Sequence, residues 1–143
     1  MMPELDRFLT PQALTHEKAL GEVRMGLKLS HWIWWEMPQL RGLGRSAKSV
    51  KYGLQDLEEA TAYLAHPVLG PRLVALCMAL LAHRNKPIEA ILGPVDAQKA
   101  RSMATLFAAV PGAPLVFEDV LKAFFMGMTC PQTKAALGDG PVP

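Results

Sequence analysis

Apolar residues recur along this chain at intervals of three and four, and nowhere do they alternate convincingly with polar ones. Pro71 opens the clearest case, in which Leu73, Leu76, Cys77, Leu80 and Leu81 fall on one helical face. A shorter helix is predicted from Pro87 to Leu92. Asp96 reads as the cap of the next, with Ala100, Met103, Leu106 and Phe107 turned inward. Pro114 starts another, carrying Phe117, Val120, Leu121, Phe124 and Phe125, and a last turn follows Pro131. Nearer the N-terminus, Thr10-Pro11 reads as a helix start, since proline at the first helical position loses nothing by lacking an N–H. Ala13, Leu14, Leu20 and Val23 then form a partial apolar face that stops at Gly26. Ser46 caps a short helix ending at Gly53. Asp56 and Glu59 make a capping-box-like start for "LEEATAYLA", which His66-Pro67 ends.

One segment fits this pattern less well. "SHWIWWEMPQLRGLGRS", Ser30 to Ser46, holds all three tryptophans. As a strand, Trp32, Trp34 and Glu36 would share a face. As a helix, the segment is apolar all round and must be buried. Ser30 as cap and Pro38 as terminator favour the helix. The expectation is therefore an all-α fold, a compact single-domain bundle of about seven or eight short helices over residues 1–137, with a flexible tail at 138–143.

Composition adds mainly exclusions. A chain of 143 residues, half apolar and one-fifth charged, can build one ordinary core without staples. Cys77 and Cys130 lack any repeated spacing and read as reduced thiols, and "MMPELDRFL" lacks a signal-peptide h-region, so a cytoplasmic protein is expected. No window suits a membrane span. The four histidines never approach ligand spacing, so no metal site and no cofactor is implied.

The net charge of +2 does not imply nucleic acid, but its distribution is uneven. Arg24 to Lys51 carries six bases and one acid, whereas Tyr52 to Ala65 carries three acids and no base. The bases follow the tryptophans without interleaving, which argues against nucleic-acid stacking and for packing as the main use of the rings. Such a field attracts an anionic ligand, although runs of charge are commonly just solvated surface. "GLGRSA" matches the dinucleotide fingerprint G-x-G-x-x-A formally, but no strand or crossover helix surrounds it. A capped helix start at Ser46, beside Arg45 and Lys48, remains as a possible anion site.

Among reactive groups, His31 and Glu36 are the weak candidates for acid/base catalysis. Glu36 is expected to be exposed, the alternative being burial beside a partner such as Lys or Arg. Cys77 is an inert core thiol by position. Cys130, before Pro131 at a helix start, has its thiolate favoured by the dipole, but no neighbouring base is visible.

"LDRFL", "SHWIWW" with "PQLRGLGRS", "YGL" followed by "AYLAHPVLGPRL", and "KARSMATLF" resemble the bacterial family called domain of unknown function 1810, over roughly Leu5 to Thr133. The resemblance implies a compact, mainly helical single domain and no established activity. Members often carry the label calpastatin. Calpastatins, however, are long disordered inhibitors, and this composition is that of a folded domain. Matching positions include His31, Trp32, Pro38, Gln39, Tyr52, His66, Lys99, Ser102 and Phe107. Five positions depart from the family pattern. His16 stands for a usual tyrosine, Glu36 and Met37 for apolar and aromatic residues, Met103 for the second of two serines, and Cys130 for a common aspartate.

The leading expectation is a helical protein that binds an anionic small molecule, a nucleotide or phosphate metabolite, near Ser30–Ser46. Lys28, His31, Gln39 and Arg45, with Lys99 and Ser102, are the expected ligand-binding residues. One alternative is an enzyme acting on a nucleotide-like substrate through His31 or Glu36. Another is a protein-partner module with Met126 and Met128 as adaptable contacts. The oligomeric state is left open.

Overall fold

The computed structural model describes residues 4–138. They form nine helices: α1 (Asp6–Met25), α2 (Ile33–Glu36), α3 (Ala47–Tyr52), α4 (Leu57–Ala65), α5 (Leu69–Leu81), α6 (Ile88–Leu92), α7 (Pro94–Ala108), α8 (Val116–Phe125) and α9 (Pro131–Ala136). Among the described residues there is no strand, only an isolated bridge between Leu40 and Leu54. The all-α architecture stands. Apart from Gly138, the expected tail lies outside the described residues.

The core is built around α5 and α7. Helix α5 packs on α1, α4 and α8, and α7 packs on α6, α8, α4 and α9. The residues predicted inward on α5 and α7 are all buried, because their three-to-four spacing puts them on one stripe. A relay of rings crosses the centre. Phe8 meets Tyr63 edge-on at 5.1 Å, Tyr63 meets Phe107 at 5.4 Å, and Phe107 stacks on Phe117 at 5.4 Å.

Several caps follow local sequence logic. Gly26, in the left-handed conformation, gives its N–H to Val23 while Leu27 bonds Glu22, closing α1 in a Schellman motif. Ser46 Oγ accepts the Ser49 N–H, and Asp56 Oδ1 accepts that of Glu59. Glu59 returns the bond one residue early, to Gln55 N–H.

Three expectations are corrected. Helix α1 begins at Asp6, with Pro11 inside it. Burial of Phe8 and the 2.7 Å ion pair of Arg7 with Glu59 hold the turn ahead of the proline. The buried stripe of α1 is Phe8, Gln12, Ala19, Glu22 and Val23, while Ala13 and Leu14 face solvent. Polar members of that stripe hid it from a hydrophobic pattern. Finally, Gly93 and Pro94 start α7, and Asp96 is an ion-pair partner inside its first turn.

Candidate functional site

Helix α2 is only one turn long, and two buried glutamates fasten it to α1. Glu22 Oε1 accepts the N–H groups of Leu29 and Ser30 and the indole N–H of Trp32, and Oε2 accepts the Ser30 hydroxyl at 2.6 Å. Burial alone would raise the pKa of this carboxyl, but the bonds from Ser30, Trp32 and Leu29 outweigh it and pull the value down to about 2. Ser30 therefore serves Glu22, and Trp32 takes the cap position expected of it.

Glu36 corrects a second expectation. It is 1 % exposed. Thr15 Oγ1 donates to its Oε2 at 2.7 Å, and His16 Nδ1 lies 2.8 Å from Oε1. The partners that make burial tolerable are a hydroxyl and an imidazole, in place of the lysine or arginine expected beside a buried carboxylate. Trp35 Nε1 donates to Thr15, and Gln12 Nε2 donates to the Trp35 carbonyl and to Tyr63 Oη. Both oxygens of Glu36 are committed to this seam. His31 is exposed elsewhere. The two acid/base candidates thus share no site.

A concave feature borders α2 at Trp34. A groove of about 820 Å³ runs between the α2–α3 loop, α7 and α9. One wall is the loop, with Gln39, Arg41 and Leu43; α7 gives Val95, Gln98, Lys99, Arg101 and Ser102; α9 and its cap give Cys130, Gln132 and Ala135. The loop is held by the bridge across its base, where Arg41 N–H bonds the Leu54 carbonyl at 2.7 Å and Leu54 N–H bonds Gln39 at 3.0 Å. A Cβ at Gly53 would stand 2.6 Å from the Arg41 Cα, so the close approach of the two chains needs glycine there.

Three bases and no described Asp or Glu line the groove. Lys99 Nζ sits 3.9 Å from the Trp34 ring centroid and reaches Asp96 only at 3.4 Å. Arg101 ties down the strand-like approach to α9 by donating to the carbonyls of Met128 and Thr129 at 3.0 and 2.6 Å. Arg41 differs: its Nε is buried without a hydrogen-bond partner among the described residues. Its charge also acts on Glu59, where with Arg7 it helps hold the carboxyl below the usual carboxylate range against the opposing effect of burial.

Cys130 faces the same space. Ser102 Oγ is 3.3 Å from its Sγ and 3.2 Å from the Gln98 carbonyl, so one proton serves either acceptor. Burial would raise the pKa of this thiol, yet the hydroxyls of Ser102 and Thr133 and the N–H groups of Thr133 and Gln132 outweigh that and lower it. Thr105 Oγ1 accepts the Cys130 N–H at 2.9 Å and fixes the backbone. Cys77, by contrast, is pushed up to about 12 by complete burial.

Of the six expected ligand-binding residues, Gln39, Lys99 and Ser102 meet in the groove. Lys28 lies behind it, paired with Asp96 at 2.9 Å and stacked over Trp32 at 5.0 Å. His31 and Arg45 are exposed and do not line it. Ser46 uses its hydroxyl as a cap, and α3 behind it is a six-residue helix. Sequence reasoning missed Arg41, Arg101 and Cys130 as groove residues. Arg41 was inside the basic run, and Cys130 was noted as a helix-start thiol; Arg101 carried no signal. Met126 and Met128 are exposed, at 87 % and 56 %. Among the described residues, no group of three or more His, Cys, Asp or Glu could hold a metal, and no single helix is long and apolar enough to cross a membrane.

The model of the family described as protein of unknown function (DUF1810) matches residues 2–137, and the chain belongs to that family. A solved structure, the conserved hypothetical protein Rv1873 from Mycobacterium tuberculosis, is similar, with 41 % identity and a TM-score of 0.92 over 94 % of this chain and 96 % of that one. No curated protein matches. Neither comparison carries the calpastatin label or an activity.

Proposed function

We propose that this DUF1810 protein binds an anionic small molecule in the groove between the α2–α3 loop, α7 and α9. Arg41 and Lys99 would pair with the anion, a phosphate or carboxylate, and Gln39 and Ser102 would orient it. The buried, unpartnered Nε of Arg41 carries this reading. A groove of about 820 Å³ is large enough for a nucleotide-sized ligand. Its floor along α7, from Val95 to Ser102, spans on the order of 10 Å at the helical rise. Lys99 already covers one face of Trp34, so that face is not a stacking platform while the lysine stays there.

The reading is tested by calorimetry and thermal shift with inorganic phosphate, pyrophosphate, AMP and ATP. Binding by at least one of them, weakened about tenfold or more in Arg41→Gln or Lys99→Gln, supports it. If no ligand shifts the melting temperature at millimolar concentration, or if both variants bind as well as the parent, the groove is not an anion site. A ligand at one hundred times its Kd adds about 2.7 kcal/mol, well within detection.

A further inference from the structure

The groove holds a second kind of chemistry besides its charge. Cys130 Sγ opens on it, beside Ser102 Oγ at 3.3 Å. The Thr133 hydroxyl is fully buried, without a hydrogen-bond partner of ordinary geometry among the described residues. It lies close enough to the sulfur to favour its anionic form, as the Ser102 hydroxyl does. The charge facing this sulfur comes from Arg41, Lys99 and Arg101, with no described Asp or Glu among the lining residues.

We propose that Cys130 is a modification site, whose thiolate exchanges with small disulfides bearing carboxylates drawn in by Arg41, Lys99 and Arg101. This rests on the reading of the groove as an anion site. In the exchange, Cys130 Sγ gives an electron pair to one sulfur of the incoming disulfide. The new S–S bond forms as the old one breaks, and the other half departs as a thiolate. Cys130 is oxidised, the small disulfide is reduced, and the proton released from Cys130 passes to water. The basic walls raise the local concentration of an anionic disulfide, with no help for a neutral one. Cys77 takes no part: it is 0 % exposed, deep on the core face of α5.

The test uses the two thiols against each other. Folded protein is treated with 5,5′-dithiobis(2-nitrobenzoate), which carries two carboxylates, and with the uncharged 2,2′-dithiodipyridine. One thiol, mapped to Cys130 by mass spectrometry, is expected to react in the folded state, and the second only after unfolding in guanidinium. The anionic-to-neutral rate ratio should exceed that of β-mercaptoethanol about tenfold at low salt. It should fall as salt is added and in Arg41→Gln and Lys99→Gln. A folded protein with no reactive thiol, a reactive thiol that survives Cys130→Ser, or a ratio equal to that of β-mercaptoethanol overturns the proposal. Phosphate binding by Cys130→Ser separates the two readings. If it persists while the parent's thiol is inert, only the exchange is lost; if phosphate binds neither protein, the anion site falls as well.

Discussion

His16 Nδ1 and Glu36 Oε1 lie 2.8 Å apart in the buried seam between α1 and α2. These are two of the five positions that depart from the pattern the family resemblance implies, and they contact each other. Each departure explains the other: a carboxylate buried at this point needs a donor, and an imidazole there needs an acceptor. Together with Thr15, they convert an apolar contact into a polar one that still fastens α2 in place.

His16→Ala leaves the Glu36 carboxylate buried with Thr15 as its remaining partner, and the expected cost is about 3 kcal/mol in urea unfolding. The double variant His16→Tyr with Glu36→Leu removes the buried carboxylate together with its imidazole partner and should recover most of that loss. A double-mutant cycle with a coupling below about 0.5 kcal/mol would show that the two sites are independent.

Glu22 makes stability depend on acid. Its folded pKa, about 2, lies below the ordinary value of 4.5, so its contribution is full above pH 4.5 and disappears as pH falls through 2. The expected loss from this group is about 3 kcal/mol between pH 5 and pH 2. Glu22→Gln should be less stable at pH 7 and show a shallower fall over that window. Parallel curves for the two proteins would be inconsistent with the clamp.

Two glycines of similar sequence surroundings should respond oppositely to alanine. A Cβ at Gly70 would stand 2.1 Å from the Leu64 carbonyl oxygen, where α4 passes against α5. Gly70→Ala should cost at least about 2 kcal/mol through forced separation of these helices. Gly21, within α1, has open space around its would-be Cβ, and Gly21→Ala should stabilise by about 0.5–1 kcal/mol. Melting temperatures moving in opposite directions are the expected result.

Arg101 joins α7 to the approach of α9 through two carbonyls. Arg101→Met should cost about 1–3 kcal/mol and loosen α9 ahead of the rest of the molecule. Hydrogen exchange would read this as lost protection confined to residues near 129–136. Uniform loss across α5 and α7 would instead mark a global effect.

The sequence by itself determined the helices with strong apolar stripes, α5 and α7, and the caps at Ser46 and Asp56, because those signals are local. It also placed Gln39, Lys99 and Ser102 among candidate ligand residues, although it could not say that they meet. Helix α1 was misjudged because its buried stripe carries Gln12 and Glu22, whose partners come from elsewhere in the chain. Glu36 was misjudged for the same reason: burial of a carboxylate depends on donors twenty residues away. Only the tertiary structure decided the groove. Arg41, Arg101 and Cys130 are brought to it by the Leu40–Leu54 bridge and by the packing of α9 on α7, contacts between segments far apart in sequence. A periodic pattern reports which face of a helix turns inward. It carries no information about which distant backbone closes over that face, or about the polar atoms left without partners when it does.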